Sequence, residues 1–452
     1  MVKKTANGER AVFATRFGAI ATTVGSAVGL GNIWRFPYEA GVHGGGAFLL
    51  CYMVFVLLIG VPLMCAEFSM GRSTRSNIFG AYGKLRPGQN WHIAGYIGII
   101  ASILIMGFYC VVAGWTIEYT LASATGRLDF SSVGDGHEQF QALTTGWRPL
   151  VWTVIFLLCN FGVLIGGVTK GIERVSNILM PLLFVLLIAF CINAFTMPAF
   201  GEGMAFLFRP DWSQITPSVL LGALGQAFFS LSLGMGCMMT YASYFSSENR
   251  LGRTALTTAL LDSLVAILAG VIIFPAVFSF GMSPSAGPTL VFEVLPSIFA
   301  QLPGGAVWST LFFLLLFLAS LTSTVSLSEI TIAFFCEEWK MSRAWATILS
   351  TLLALAGGIL CALSFGVLGD FTIFGKTLFD LFDYVSSNIL LPLGGLLCSI
   401  FAGWVMDKKV LKAQMTDNGR YPFRLLGALV FFLRWICPAA IILIFLNSIG
   451  IL

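Results

Sequence analysis

Charged side chains are scarce in this chain of 452 residues, since Asp, Glu, Lys and Arg together make up only 10% of it. Soluble globular domains carry about 25% charged residues, so these side chains are too few to cover a folded body of this size. Hydrophobic residues make up 57% of the chain, and its mean hydropathy is +0.90. This composition excludes an ordinary soluble enzyme. The net charge of +4 is too small to indicate a nucleic-acid partner.

The sequence also lacks the patterns of metal, disulfide and nucleotide sites. It has no CxxC pair, and nearly all of its 10 cysteines lie inside apolar segments, where they are typical packing residues. It has no GxxxxGK motif followed by Ser or Thr, so ATP-driven transport is not indicated. Its 3 histidines, His43, His92 and His137, are scattered, which argues against a membrane-embedded enzyme.

Long apolar runs make up most of the remaining sequence. A transmembrane helix needs about 20 apolar residues, and such runs favour a helical bundle over a membrane barrel. We therefore predict an all-α polytopic membrane protein with eleven transmembrane helices in the lipid bilayer. Residues 283–305 are too rich in Pro and Gly to span, and we expect a loop with a short helix there. The predicted spans are 15–39, 47–71, 92–124, 149–168, 172–197, 217–244, 253–281, 306–337, 345–368, 376–405 and 425–450.

The basic residues predict how these helices are oriented. Most of the 25 Lys and Arg fall in one alternating set of connections, and the positive-inside rule places that set in the cytoplasm. Residues 1–14 form a polar segment that is too long for a signal peptide. We expect the N-terminus in the cytoplasm and, after an odd number of spans, the C-terminus outside.

The first predicted span contains residues that an uninterrupted lipid-facing helix does not need. Gly25, Gly29 and Gly31 fall near mid-membrane and are followed by Asn32 and Arg35. Glycine destabilises a helix by about 1 kcal/mol per residue relative to alanine. A charged side chain at the bilayer centre raises the free energy of membrane insertion by at least about 2.5 kcal/mol. Close helix packing would explain the glycines, but not the amide and the guanidinium. We therefore predict that this helix is unwound.

The sixth predicted span repeats this anomaly, because Ser230, Ser232, Gly234 and Gly236 interrupt its middle. Two interrupted helices at matching positions point to a transporter's binding site, where free N–H groups can bind an anion and free carbonyls a cation. The pattern predicts a five-plus-five inverted repeat with unwound first and sixth helices. Its halves are residues 15–197 and 217–405, and residues 425–452 form the eleventh helix.

Hydroxyl side chains are concentrated in the eighth span. Such neutral oxygens suit an alkali cation, but Ser and Thr in membranes usually bond to their own helix, and both interpretations stay open. The hydroxyls belong to Ser320, Thr322, Ser323, Thr324, Ser326 and Ser328.

Several motifs together resemble the neurotransmitter:sodium symporter family, and in particular its bacterial amino-acid transporters. They are GSAVGLGNIWRFPY from Gly25, GGGAF from Gly44, GVPLMCAEFSMGR from Gly60, GQAFFSLSLGMG from Gly225 and LASLTS from Leu318. The resemblance implies a sodium-coupled symporter in the bacterial inner membrane that imports hydrophobic and aromatic L-amino acids by alternating access. A passive channel and a membrane-embedded enzyme are the alternatives. We predict no twelfth span, which many members have.

The resemblance also implies sites for a substrate and two sodium ions. The first sodium ion is expected at Ala27, Asn32, Ser230 and Asp262, and the second at Gly25, Val28, Ala319, Thr322 and Ser323. The substrate is expected at Ala27, Gly29, Leu30, Gly31, Ile105, Tyr109, Phe229, Ser230, Ser232, Met235, Ser323 and Leu327. Relatives that transport monoamines have an aspartate where this chain has Gly29, so its substrate must bring its own carboxylate. The flexible thioether of Met235 favours several bulky apolar shapes.

Asp262 lies within a predicted span, and a carboxylate at membrane depth indicates a functional site. Chloride-dependent relatives use residues that match Tyr52, Gln226 and Ser230 plus a serine, whose place is taken here by Ala266. We expect Asp262 to ligate sodium and supply the negative charge itself, so that no chloride is required. The alternative is a buried acid that bonds to a neighbouring helix. Glu67 is expected to bond to the broken sixth helix.

Two gates and one hinge complete the expectations, while Glu329 in the eighth span has no assigned role. The gates pair Arg35 with Asp383 on the outer side, and Arg10 with Glu337, near Tyr244, on the inner side. Snorkelling interfacial side chains are the alternative for both arginines. Gly171 and Pro181 in the fifth span predict either a stretch that unwinds for sodium release or a simple kink.

Overall fold

The computed structural model describes residues 10–127, 135–283, 290–301 and 303–449. Within these residues the regular structure is helical, apart from one isolated bridge between Ile373 and Lys376. Nine helices of the described residues are long and apolar enough to cross a membrane. They are α3 (Gly46–Thr74), α4 (Asn90–Ala124), α5 (Arg148–Ile165), α6 (Val168–Ala194), α9 (Leu251–Ser279), α10 (Gly305–Glu337), α11 (Arg343–Leu363), α12 (Leu378–Val405) and α13 (Leu426–Ser448).

The remaining two predicted spans, the first and the sixth, are each built from two shorter helices. The first consists of α1 (Arg16–Ala27) and α2 (Phe36–Val42), with a π-turn at Gly31–Arg35 leading into α2. The sixth consists of α7 (Pro217–Ser230) and α8 (Cys237–Ala242). Both interruptions fall where the glycine patterns predict them. Of the predicted N-terminal segment, residues 1–9 lie outside the described residues.

Backbone conformation explains the break between α7 and α8. Gly234 and Gly236 have φ values of +83° and +84°, in the left-handed region that favours glycine. Ser232 also adopts a positive φ of +52°. A Cβ on Gly234 would lie 2.4 Å from the carbonyl oxygen of Leu391, so α12 also requires glycine there. The glycines therefore serve both the turn and a close helix approach.

The helices differ in how deeply they are buried. In α4 and α10, 78% of the most apolar window is buried, whereas in α13 the share is 28%. Peripheral helices expose large apolar side chains, such as Leu158 on α5 and Val185 and Ile192 on α6. In a membrane these side chains face lipid, so the broken helices, α4 and α10 form the centre.

Shorter helices connect the long ones. The helix predicted within residues 283–305 lies at Leu290–Ala300 and contacts α10 and the helix Asp135–Thr144, while residues 284–289 and 302 lie outside the described residues. The others are Ile78–Leu85, Phe200–Phe208 and Lys408–Thr416.

The predicted hinge in the fifth span is helical in this structure. Residues Val168–Glu173 form a π-turn that continues into Arg174–Ala194, with Pro181 inside the helix. A Cβ on Gly171 would lie 2.0 Å from the carbonyl oxygen of Val163, so this glycine permits a close contact with α5. The proposed unwinding between Gly171 and Pro181 stays a prediction.

Candidate functional site

A small cavity lies where the two broken helices meet α4 and α10. Eleven of the twelve residues predicted to contact substrate line it, and Leu30 does not. Ser26 also lines the cavity but was not predicted, because a serine near the end of an apolar helix carries no distinguishing signal. The lining residues are Ser26, Ala27, Gly29, Gly31, Ile105, Tyr109, Phe229, Ser230, Ser232, Met235, Ser323 and Leu327.

One end of the cavity is polar. Leu30 contributes its backbone, because its N–H donates to the Tyr109 hydroxyl at 2.9 Å. A Cβ on Gly29 would lie 2.5 Å from Ser323 Oγ and 2.8 Å from the Tyr109 hydroxyl oxygen. Any side chain at position 29 would therefore collide with two of the groups that make this end polar, which explains glycine there.

The other end is apolar. Ile105, Met235 and Leu327 are buried and carry no charge. The ring of Phe229 lies against Gly31, where an added Cβ would come within 3.0 Å of it. The guanidinium carbon of Arg35 lies 4.6 Å from the centroid of the same ring. Phe229 lines both this cavity and a second cavity that Arg35 also lines.

A buried carboxylate lies beside the break in the first helix. Asn32 Nδ2 donates to Asp262 Oδ1 at 2.8 Å and to Ser230 Oγ at 3.0 Å, while Ser230 Oγ donates to Asp262 Oδ2 at 2.6 Å. Tyr52 donates a longer bond of 3.4 Å to the same carboxylate. Asn32 and Asp262 are 0% exposed. No ion pair of the described residues involves Asp262.

This carboxylate cluster suits a small hard cation. Its acceptors are carboxylate and hydroxyl oxygens, which are ligands that hard cations prefer. Asn32 presents its N–H group here, while its amide oxygen accepts the backbone N–H of Gly29 at 3.0 Å. An unpaired charge buried in a dry site is costly. A monovalent cation at Asp262 would offset that cost. The structure thus brings together Asn32, Ser230 and Asp262, with Ala27 lining the adjoining cavity.

A second group of oxygens is neutral. Ser323 Oγ donates to the carbonyl of Val28 at 2.9 Å and lies 3.5 Å from that of Gly25, so α10 meets the break directly. Thr322 Oγ1 bonds to the carbonyl of Ala319 at 3.0 Å. A Cβ on Gly25 would lie 3.3 Å from Thr322 Cβ, so this part of α10 faces the end of α1 and brings the five predicted residues into one region. In this structure the hydroxyls donate hydrogen bonds to carbonyl oxygens. A bound cation would be coordinated by the same carbonyl oxygens.

Glu67 holds the broken sixth helix, as predicted. Its carboxylate accepts the backbone N–H of Gly234 at 2.9 Å and of Met239 at 3.3 Å. These amides are freed by the interruption between α7 and α8, and a buried N–H without a partner would be costly. Glu67 therefore stabilises the unwound segment.

The inner pair predicted from sequence is in contact. Arg10 forms an ion pair with Glu337, and its guanidinium carbon lies 4.6 Å from the centroid of the Tyr244 ring. Glu337 also accepts the backbone N–H of Asn77 at 2.8 Å. This cluster links the N-terminal segment to the chain that follows α8, to the end of α10 and to the chain that follows α3.

Glu329, to which sequence reasoning gave no role, lies next to this cluster. Its carboxylate accepts two bonds from Arg343, at 3.0 and 2.7 Å, and one from the Tyr244 hydroxyl at 2.7 Å. Glu329 is 0% exposed, so the two-point pairing offsets the cost of burying its charge. Arg343 lies 14 positions later, at the start of the next span, and was the signal in the sequence that could have indicated a partner for Glu329.

The outer pair differs from the expectation. Arg35 Nε contacts Glu39 at 3.4 Å, one turn further along, rather than Asp383. Asp383 instead accepts the hydroxyl of Ser387 at 2.8 Å. Arg35 and Asp383 nonetheless line one cavity of about 220 Å³ together with Phe229. Glu39 was missed because the i,i+4 spacing is common on exposed helices and carries little weight alone.

Comparisons with known proteins agree with this architecture. The family model of the Sodium:neurotransmitter symporter family matches residues 10–143 and 138–451. An uncharacterized sodium-dependent transporter of Bacillus subtilis, YhdH, is 41% identical over 441 residues, covering 97% of this chain and 98% of the relative. Another from Haemophilus influenzae is 37% identical over 456 residues, covering 98% and 99%.

The structural comparison extends the match to a solved protein. The crystal structure of MhsT in complex with L-phenylalanine has a TM-score of 0.90 and 44% sequence identity to this chain, covering 97% of this chain and 100% of that one. The resemblance first indicated by the broken-helix motifs is confirmed. This chain therefore belongs to the sodium:neurotransmitter symporter family and is a membrane-spanning, sodium-dependent transporter rather than an enzyme.

Proposed function

We propose that this transporter couples the import of hydrophobic and aromatic L-amino acids to sodium entry by alternating access. The observation that carries the proposal is one cavity with a polar end of unwound peptide groups, an apolar end, and a buried carboxylate without a cationic partner among the described residues. A zwitterion with an apolar side chain complements the first two features. A sodium ion complements the third.

The substrate lies along the cavity in a single orientation. Its carboxylate faces the amides near Leu30 and Gly31 and the hydroxyl of Tyr109, and its ammonium faces the carbonyls of the two unwound segments. Its side chain occupies the space between Ile105, Met235 and Leu327. The absence of a side chain at Gly29 supports a substrate that brings its own carboxylate, and L-phenylalanine bound to MhsT supports the substrate class.

The first sodium ion binds beside Asp262, with Ala27, Asn32, Ser230 and the substrate carboxylate. The direct contact between ion and carboxylate couples the two ligands. Asp262 supplies a fixed negative charge, so transport proceeds without chloride. The second ion binds at Gly25, Val28, Ala319, Thr322 and Ser323, where the contacts of Ser323 with both carbonyls support a compact oxygen shell.

Access alternates between the two sides of the membrane through two barriers. Arg10 with Glu337 closes the inner side, and Arg35, by exchanging Glu39 for Asp383, closes the outer side. Unwinding between Gly171 and Pro181 opens a water path to the second ion. The positive-inside pattern supports a cytoplasmic N-terminus, an external C-terminus and a bacterial inner-membrane location, and the paired breaks support an eleven-helix inverted repeat.

Uptake into proteoliposomes tests the proposal. An inward sodium gradient is expected to drive accumulation of radiolabelled L-phenylalanine above its external concentration, and L-leucine and L-tryptophan are expected to compete. Replacing chloride with gluconate is expected to leave uptake unchanged. Accumulation without sodium would contradict coupling, equilibration without accumulation would indicate a passive channel, and loss of uptake in gluconate would contradict the role of Asp262.

A further inference from the structure

A separate cavity of about 410 Å³ opens between α1 and α9, at the end of the bundle that the positive-inside pattern places in the cytoplasm. We call it the basic cavity. Its lining combines guanidinium, hydroxyl and amide groups with one carboxylate and one apolar side chain. The lining residues are Arg16, Ile20, Glu248, Asn249, Arg250, Arg253, Thr254 and Thr257.

Positive charge in the basic cavity is not balanced by the protein. Three arginines face a single acid, Glu248, which Arg16 contacts at 3.4 Å. No ion pair of the described residues involves Arg250 or Arg253. Such an excess attracts an anion.

An aromatic ring holds one of these arginines in place. The guanidinium carbon of Arg250 lies 3.7 Å from the centroid of the Tyr421 ring, and that of Arg420 lies 5.4 Å from the same centroid. The stacking orients Arg250 and brings a further positive charge near the cavity. The site is therefore partly organised before any ligand binds.

An apolar surface continues from the basic cavity along α9. Leu256, Leu260 and Leu264 recur one helical turn apart, and each is about two-fifths exposed. On the facing helix, Phe17 is 57% exposed. A soluble anion would leave this stripe unused, whereas an acyl chain would cover it.

We propose that the basic cavity binds the headgroup of an anionic phospholipid, whose acyl chain lies along the leucines of α9. Phosphate oxygens suit the paired N–H groups of arginine, and basic pockets between transmembrane helices on the cytoplasmic side are suited to acidic lipid headgroups. The headgroup contacts Arg250 and Arg253, with the threonine hydroxyls as further donors. Because Arg16 and Ile20 of α1 line the cavity, the bound headgroup also lies against the first broken helix.

Native mass spectrometry of the full chain, released from nanodiscs of phosphatidylglycerol and phosphatidylcholine, tests the proposal. The wild-type protein is expected to retain phosphatidylglycerol in preference to phosphatidylcholine. The double variant Arg250→Gln/Arg253→Gln is expected to lose retention by roughly fivefold per arginine. Lys409→Gln, an exposed basic position outside the cavity, is the matched control and is expected to behave as wild type.

Three results would overturn the proposal. They are equal retention of the two lipids by the wild type, unchanged phosphatidylglycerol retention in the double variant, and equal loss in the Lys409→Gln control. Displacement of the lipid by millimolar inorganic phosphate would assign the site to a soluble anion instead. Sodium-dependent L-phenylalanine binding, measured on the same samples, reports whether the variant is folded, and a folded double variant that retains the lipid contradicts the proposal outright.

Discussion

Replacing Asp262 with asparagine removes the one charge that the protein contributes to the proposed first sodium site. The side chain is 0% exposed, and the amide keeps an oxygen that can accept from Asn32 at a similar position. The variant therefore preserves the shape of the side chain and the bond from Asn32. The amide N–H group that replaces Oδ2 can donate to the hydroxyls of Ser230 and Tyr52, which in the wild type donate to that oxygen. Its effect isolates the attraction between carboxylate and cation.

The magnitude follows from Coulomb's law. Two unit charges about 4 Å apart interact by about 4 kcal/mol at an effective dielectric constant of 20, which corresponds to about a 1000-fold change in affinity. A neutral amide oxygen recovers part of this attraction. We expect the sodium concentration for half-maximal L-phenylalanine binding to rise by at least roughly 100-fold in Asp262→Asn.

Scintillation-proximity binding of L-phenylalanine over a sodium titration measures this shift. The matched control is Asp380→Asn, which makes the same change at an exposed position on α12. A second titration in chloride and in gluconate asks whether an anion restores affinity to the Asp262→Asn protein through Tyr52, Gln226 and Ser230. A sodium requirement within twofold of wild type in a folded Asp262→Asn protein would refute the charge argument.

Three further variants test the rest of the site. Gly29→Ala is expected to weaken L-phenylalanine binding at least tenfold, because its Cβ would lie 2.5 Å from Ser323 Oγ; unchanged affinity in a competition assay would contradict the polar end as described. Glu173→Ala is expected to loosen α1, because Glu173 accepts the backbone N–H groups of Ala14 and Thr15 at 2.8 and 3.1 Å; faster labelling of a cysteine introduced into the inner pathway would report this, and a wild-type rate would argue against it. Arg10→Ala is expected to favour the inward-open state in the same labelling assay, and slower labelling would reverse the assigned role.

The sequence carried enough information to place both helix breaks. Gly234 and Gly236 adopt positive φ angles, which other residues rarely adopt. Asn32 is polar and would be unfavourable against lipid. The residue types at these positions therefore indicated the two breaks. Asp262 could be identified for the same reason, since an acid at membrane depth needs a partner. Residues that are energetically unfavourable within a membrane span can therefore be identified from the sequence.

Three of the contacts that the structure shows were not predicted from the sequence, although the resemblance implied the distant pair of Arg10 and Glu337. Glu329 pairs with Arg343 across two helices, and Glu173 caps α1 from a position 158 residues away. Which charges meet depends on how the helices pack. Arg35 contacts Glu39 rather than Asp383, because Glu39 lies one helical turn after Arg35. Helix packing therefore decides the contacts of Glu329 and Glu173, whereas local helix geometry decides that of Arg35.

Equilibrium binding of radiolabelled L-phenylalanine to the purified transporter, in sodium and in choline, is the most direct test that the unwound segments hold an alkali ion and an amino acid together. Saturable binding in sodium that falls at least tenfold in choline is the result expected. Equal affinity in the two salts would show that the amino acid binds without the ion, and the account of a shared site would be wrong.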